Sequence, residues 1–247
     1  MSQEQLQSTI SNEEAAALPA LLFPGEIIIV DHEEQIATAC RDLASYPMIG
    51  FDTETRPSFK AGVSYKVSLL QLSTPTRGYL FRLHKIPFSS ELIDLLQRED
   101  VVKVGADVAG DIRSLKELVA IEAGGFVDLQ NMVWEWGVKE RSLRKMAAVL
   151  LGHKISKAQR LSNWEAVTLT PQQERYAATD AWACIELYNR LQELPKLSNE
   201  ELDQIRKEQA RAAAEAAERR AKKQAQRKAK FRSSSRRRSS SKVVKEV

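Results

Sequence analysis

Four acidic residues, at three places in the chain, could do chemistry if something positive lies beside them. Asp52 and Glu54 close the run Met-Ile-Gly-Phe-Asp-Thr-Glu-Thr over residues 48–55, whose Met48, Ile49 and Phe51 suit a buried strand. A strand has a side-chain period of two, so both carboxylates leave the same face. Two like charges at the end of an apolar strand repel, and a divalent cation is the usual counter-charge; the plain alternative is a strand running out into a solvated acidic loop. Asp111 stands where a short strand from Val104 runs into a helix, with Gly105 and Gly110 at the join. There the helix dipole favours negative charge, so Asp111 is assigned to chemistry and Asp107 to capping. No Lys-Ser/Thr follows Gly110, which excludes a phosphate loop. Tyr176 and Asp180, four apart, share one face of a late helix with the small residues Ala177, Ala181 and Cys184. That face can approach a sheet closely; taken alone, Asp180 would read as an exposed acid.

The elements that must carry these groups follow from periodicity and caps. Residues 1–24 read as a weakly held segment with a short helix ending near Pro19 and Pro24, and Glu26–Val30 as a strand. Asp31 offers a cap for a helix to about Ser45, with Ile36, Ala39, Cys40 and Leu43 on one face. Residues 66–73 and 78–84 read as strands joined by a Thr-Pro-Thr-Arg turn, antiparallel partners of the acidic strand. Ser89 or Ser90 caps a helix through Gln97; 101–105 is a strand, 107–119 a helix and 125–127 a last strand, and Asp128 caps a helix to Trp136. Helices follow over 142–151 and 171–194; Thr170, Pro171 and Gln173 mark the start of the last. A meander followed by alternating strands and helices predicts an α/β fold with a mixed sheet of five to six strands flanked by helices.

Charge is unevenly spread. Net charge is +4 over 247 residues, yet residues 199–247 hold 16 Lys/Arg against 7 Asp/Glu, leaving 21 against 26 for residues 1–198. A basic tail on an acidic body points to a polyanionic partner such as nucleic acid. Residues 202–230 favour helix but lack an apolar stripe, and 231–242, rich in Ser and Arg, read as disordered. The expected division is a segment 1–24, a domain 25–195 and a basic tail 196–247. No apolar run is long enough for a membrane span, and the first residues lack a secretory layout. Cys40 and Cys184, far apart, read as reduced thiols of a cytoplasmic protein, or a nuclear one if eukaryotic; the absence of a Cys/His cluster excludes a zinc finger.

Taken together, Phe51 to Thr55, Val104 to Leu115, Tyr176 to Ala181 and the segment Ser156 to Trp164 resemble the motifs of the DEDDy 3′–5′ exonucleases, the group with ribonuclease D and the Werner-syndrome exonuclease domain. The resemblance spans about residues 26–194; the second motif is similar to the Gly-rich form of the Werner-type branch. It implies a ribonuclease H-like fold and a two-ion Mg²⁺ or Mn²⁺ site acting on DNA or RNA with a free 3′ end. In that reading Asp52 bridges the ions, Glu54 and Asp180 complete the nucleophile-activating site, Asp111 holds the second ion, and Tyr176 orients the attacking water. Lys157, Arg160 and Asn163 contact phosphates or sugars, with Arg56 and Lys60 as further candidates, while Trp164 is expected to be buried. The alternative is a non-catalytic nucleic-acid-binding adaptor that keeps the fold.

Overall fold

The structure is a computed structural model and describes residues 7–60, 62–208, 210–211, 214–215 and 217–222. The chain divides into two units, residues 1–196 and 197–247. Within the second, the described residues from 199 to 222 are helical and mostly exposed, as a run without an apolar stripe must be; the stretch 231–242 lies outside the described residues. No helix among the described residues is long and apolar enough to cross a membrane.

Six strands form one mixed sheet in the body. They are β1 (Glu26–Val30), β2 (Met48–Thr55), β3 (Val67–Ser73), β4 (Arg77–Arg82), β5 (Val102–Gly105) and β6 (Phe126–Asp128), in the order β1-β4-β3-β2-β5-β6. β2, β3 and β4 are antiparallel neighbours, while β1 runs parallel to β4 and β5 and β6 run parallel to β2. The period of two sorts the side chains. Ile49, Phe51, Leu70, Leu72, Tyr79 and Phe81 face a core shared with α2 (Glu33–Leu43), α3 (Ser90–Gln97) and α4 (Val108–Lys116). Leu69 and Leu80 face the opposite layer, where the short helix α5 (Leu129–Met132) is followed by α6 (Leu143–Leu151) and α7 (Pro171–Glu193).

The last helix is the element that matters most for the site. Thr170 and Gln173 form the expected capping box, and Pro171 occupies the first turn, so the start of α7 is fixed by local chemistry. Its small residues lie directly on the sheet. A Cβ at Gly50 would stand 2.0 Å from the Ala181 carbonyl oxygen, and one at Gly78 would stand 3.0 Å from the Ala178 Cβ. Only glycine at position 50 lets the helix backbone sit this close to β2.

Three local expectations need correction. The α2 cap falls on His32 rather than Asp31: Gln35 Oε1 accepts from the backbone N–H of both, which makes position 32 the last extended residue. Asp107 occupies the cap position of α4 but makes no side-chain capping bond, because its backbone is left-handed (φ 66°) rather than in the extended conformation from which a cap side chain reaches the first amides. The segment ahead of β1 is not weakly held over its described part. Beyond the short helix α1 (Asn12–Ala17), the Lys154 N–H donates to the Pro19 carbonyl, the Leu21 N–H to the Lys154 carbonyl, and the Phe23 N–H to Thr179 Oγ1, with Phe23 buried. Its apolar anchors are too few and too widely spaced to show as a pattern.

Candidate active site

The site lies where β2 outruns its neighbour. β5 pairs with β2 only through Met48, Ile49 and Gly50 and ends at Gly105, so residues 52–55 extend past the end of β5 with a free edge. The chain leaves β5 at Gly105 and starts α4 within three residues, in the space this creates. Hence α4, although it packs on the far layer, brings Asp111 to the edge of β2. Thr53, pointing to that layer, donates from Oγ1 to Asp111 Oδ1 at 2.6 Å. A register shift between Glu54 and Thr55 ends the regular pairing with β3 just past the acids.

On the α7 face, Asp52, Glu54 and Asp180 converge, with one carboxylate oxygen of each within 4.8 Å of the others. Asp180 is buried, and its Oδ1 has no hydrogen-bond partner. Burial is the largest cause of the pKa shifts here, and mutual repulsion adds to it. Asp52 is pushed well above the usual carboxylate range by burial and then by Asp111, Asp180 and Glu54. Glu54 is raised to about 9 by burial and by Asp180 and Asp111, against which Arg160 works as a favourable charge. Asp180 is raised to about 7 by burial, opposed by a hydrogen bond from Tyr176 and the charge of Arg144. Asp111 is raised to about 7 by burial, with Asp107 and Asp128 adding repulsion and the Thr53 bond opposing it. The Tyr176 hydroxyl is raised by burial and by the Asp180 and Glu54 charges, so it remains a phenol at neutral pH.

Buried, mutually repelling carboxylates with an orphaned oxygen are unstable as anions unless a cation joins them. The donor set is all oxygen, which suits a hard divalent ion, and the residues fit one.

The structure thus brings together Asp52, Glu54 and Asp180, with Asp111 and Tyr176 interacting with members of that set. Of the three residues expected to meet nucleic acid, Arg160 is close enough to act on Glu54. Lys157 and Asn163 are exposed in the same loop, where the Asn163 side chain accepts from the Glu165 N–H. Arg56, Lys60 and Asn163 line a cleft of about 270 Å³ with Phe59, Tyr65 and Leu161. Trp164 is buried, as expected, against Tyr176, with ring centroids 6.0 Å apart. Sequence reasoning missed Thr53 and Arg144. The period of two points Thr53 away from the acids, and nothing in α6 marks Arg144 as a neighbour of Asp180.

A mixed sheet in this strand order, flanked by helices and carrying acids on its central strand, is a ribonuclease H-like exonuclease fold. The profile of the 3′–5′ exonuclease family matches residues 27–195, and the chain belongs to that family. It is 31% identical over 205 residues to a 3′–5′ exonuclease of Arabidopsis thaliana, covering 75% of this chain and 70% of that protein. It is 30% identical over 184 residues to the mouse bifunctional 3′–5′ exonuclease/ATP-dependent helicase WRN, covering 70% of this chain but only 13% of that protein. Among solved structures, the Aedes aegypti Nibbler EXO domain superposes with a TM-score of 0.62 at 25% identity, covering 68% of this chain and 88% of the other.

Proposed function

We propose that this chain is a metal-dependent 3′–5′ exonuclease that hydrolyses phosphodiester bonds from the free 3′ end of DNA or RNA. The observation that carries the reading is the convergence of Asp52, Glu54 and Asp180, with the Asp180 oxygen buried and unpartnered, in a chain of this family. Asp52, Glu54 and Asp180 would hold one Mg²⁺ or Mn²⁺ ion, and Asp52 and Asp111 a second. When bound, the two ions supply a nucleophile from water at neutral pH and neutralise the charge that develops on the leaving 3′ oxygen.

The chain's own groups do the rest. Tyr176, held as a phenol, orients the attacking water from one helical turn below Asp180, since a hydroxyl raised this far keeps its proton at neutral pH and has no free base form to accept another. Thr53 fixes the rotamer of Asp111. Arg160 meets the scissile phosphate, while Lys157, Asn163, Arg56 and Lys60 follow the backbone of the strand. Contacts of this kind position rather than read sequence, so sequence preference is weak. The basic tail adds salt-dependent affinity.

The experiment is degradation of end-labelled single- and double-stranded DNA and RNA with Mg²⁺ or Mn²⁺. Stepwise shortening from the 3′ end, lost in Asp52→Asn and Asp180→Asn, supports the reading. Binding without any cleavage would make the chain an adaptor.

A further inference from the structure

The segment ahead of β1 is pinned, yet one of its leucines stays out. The Lys154 N–H donates to the Pro19 carbonyl and the Leu21 N–H to the Lys154 carbonyl, each at 2.8 Å. The Phe23 N–H donates to Thr179 Oγ1 at 3.0 Å, and the Arg175 guanidinium donates to the Phe23 carbonyl. Leu21 packs against Ala147, Ile155 and Ala183, and Phe23 is buried against Trp182. Between them Leu22 remains 58% exposed. A lone exposed leucine is ordinary, but this one lines a pocket of about 420 Å³, a size that suits a small ligand. Leu21 and Leu22 meet Ile155 and Ala158 there, and Pro171 and Tyr176 bring in α7. Gln159, Gln172 and Arg175 add polar groups, and no acid is among the lining residues.

Position and chemistry together say what the pocket takes. Tyr176 lines it and stands one helical turn from Asp180 in α7, so the pocket begins one side chain away from the acids. Apolar walls suit the faces of a planar base. An amide carries both a donor and an acceptor, so Gln159 and Gln172 can meet the edge of any base. Arg175 forms no ion pair among the described residues and adds positive charge where a phosphodiester strand must come. Both leucines precede residues 27–195, the stretch matched by the family profile, so this wall is not carried by the family resemblance.

We propose that this pocket takes the base of the nucleotide at the free 3′ end, with Leu22 as a contact that determines how well that end is held. This rests on the reading of Asp52, Glu54 and Asp180 as the cleavage site. The nucleotide released is then one whose base the chain already grips. A base in this pocket cannot be paired, so a duplex must open its last pair before it is cut.

The test uses the full chain and two strands that differ only at the 3′ end, where one carries a normal nucleotide and the other an abasic tetrahydrofuran residue. Leu22→Ser and Ala158→Phe alter two separate walls of the pocket at exposed positions, so neither change disturbs the core. KM is read from cleavage with Mn²⁺, and Kd from fluorescence anisotropy on the same proteins carrying Asp180→Asn. The wild type is expected to hold the normal strand about 10-fold better than the abasic one. In both variants that preference should shrink to about 2-fold or less. Only a contact with the terminal base makes the two losses overlap; a purely structural role of Leu22 would weaken both strands equally. Absence of the preference in the wild type overturns the proposal, and that comparison needs no variant. A preference undiminished in both variants overturns it too, as does an equal response when the abasic residue is moved to the middle of the strand. A chain that shows the preference in binding but degrades neither strand refutes the exonuclease reading and leaves this one standing. A chain that cleaves both strands alike refutes this proposal alone, and one that neither binds nor cleaves them refutes both.

Discussion

Removing metal and raising the pH from 7 to 8 should destabilise the body, and the size of the loss follows from the carboxylate cluster. Glu54, raised to about 9 in the fold, keeps its proton across this window, whereas the unfolded chain has already released it near the ordinary value of 4.5. A group raised on folding contributes stability that is complete below its unfolded pKa and is lost as pH climbs toward the folded one. One retained proton costs about 1.4 kcal/mol per pH unit, which lowers Tm by about 3–6 °C in a body of this size. Asp52, also held well above its usual range, acts in the same direction. Below this window Asp111 and Asp180, both near 7, steepen the loss further. Lys103, depressed to about 8 by burial, works the other way at higher pH, which is why the comparison stops at 8. Thermal unfolding in EDTA at pH 7, 7.5 and 8 reads the slope directly, with Glu54→Gln as the control that reduces it. Saturating Mn²⁺ should abolish the slope, and at 100 times its dissociation constant add about 2.7 kcal/mol. A metal-free Tm that is flat or rising from pH 7 to 8 would refute the electrostatic account of the site.

Further outcomes are specific to single residues. Gly50→Ala would push a Cβ to 2.0 Å from the Ala181 carbonyl, so α7 must lift from β2; thermal unfolding and cleavage assays should both show a severe loss. Asp107→Gly relieves a left-handed backbone and should stabilise by about 1 kcal/mol in denaturant unfolding. It also removes a charge that raises Asp111, so the carbon-13 titration of Asp111 should shift to lower pH. Tyr176→Phe should reduce kcat by about 10- to 100-fold with Mn²⁺ affinity unchanged, as expected of a group that orients water and does not ligate.

The sheet and the acids were legible from sequence because both depend on local rules. Asp52 and Glu54 share a face by the period of two, and Asp180 reaches them through the small-residue face of α7, whose start is written in Thr170, Pro171 and Gln173. What stayed hidden depends on where chains end in space. Asp111 reaches the site because β5 stops short of β2, a length mismatch that no residue type announces. Asp107 looked like a cap by composition, but its backbone is left-handed rather than extended and its side chain makes no capping bond. The segment ahead of β1 is held largely by backbone groups and by Phe23, against partners such as Lys154 and Thr179 far along the chain.

The most direct test of the central claim is a cleavage assay on one oligonucleotide labelled separately at each end, with Mn²⁺, comparing wild type with Asp180→Asn. The 3′-labelled strand should yield labelled mononucleotide at once, and the 5′-labelled strand a ladder that shortens one residue at a time. Asp180→Asn, which removes the buried carboxylate charge from the cluster, should yield neither while still binding the strand. Undiminished degradation by Asp180→Asn, or none by the wild type with either ion, would contradict the account.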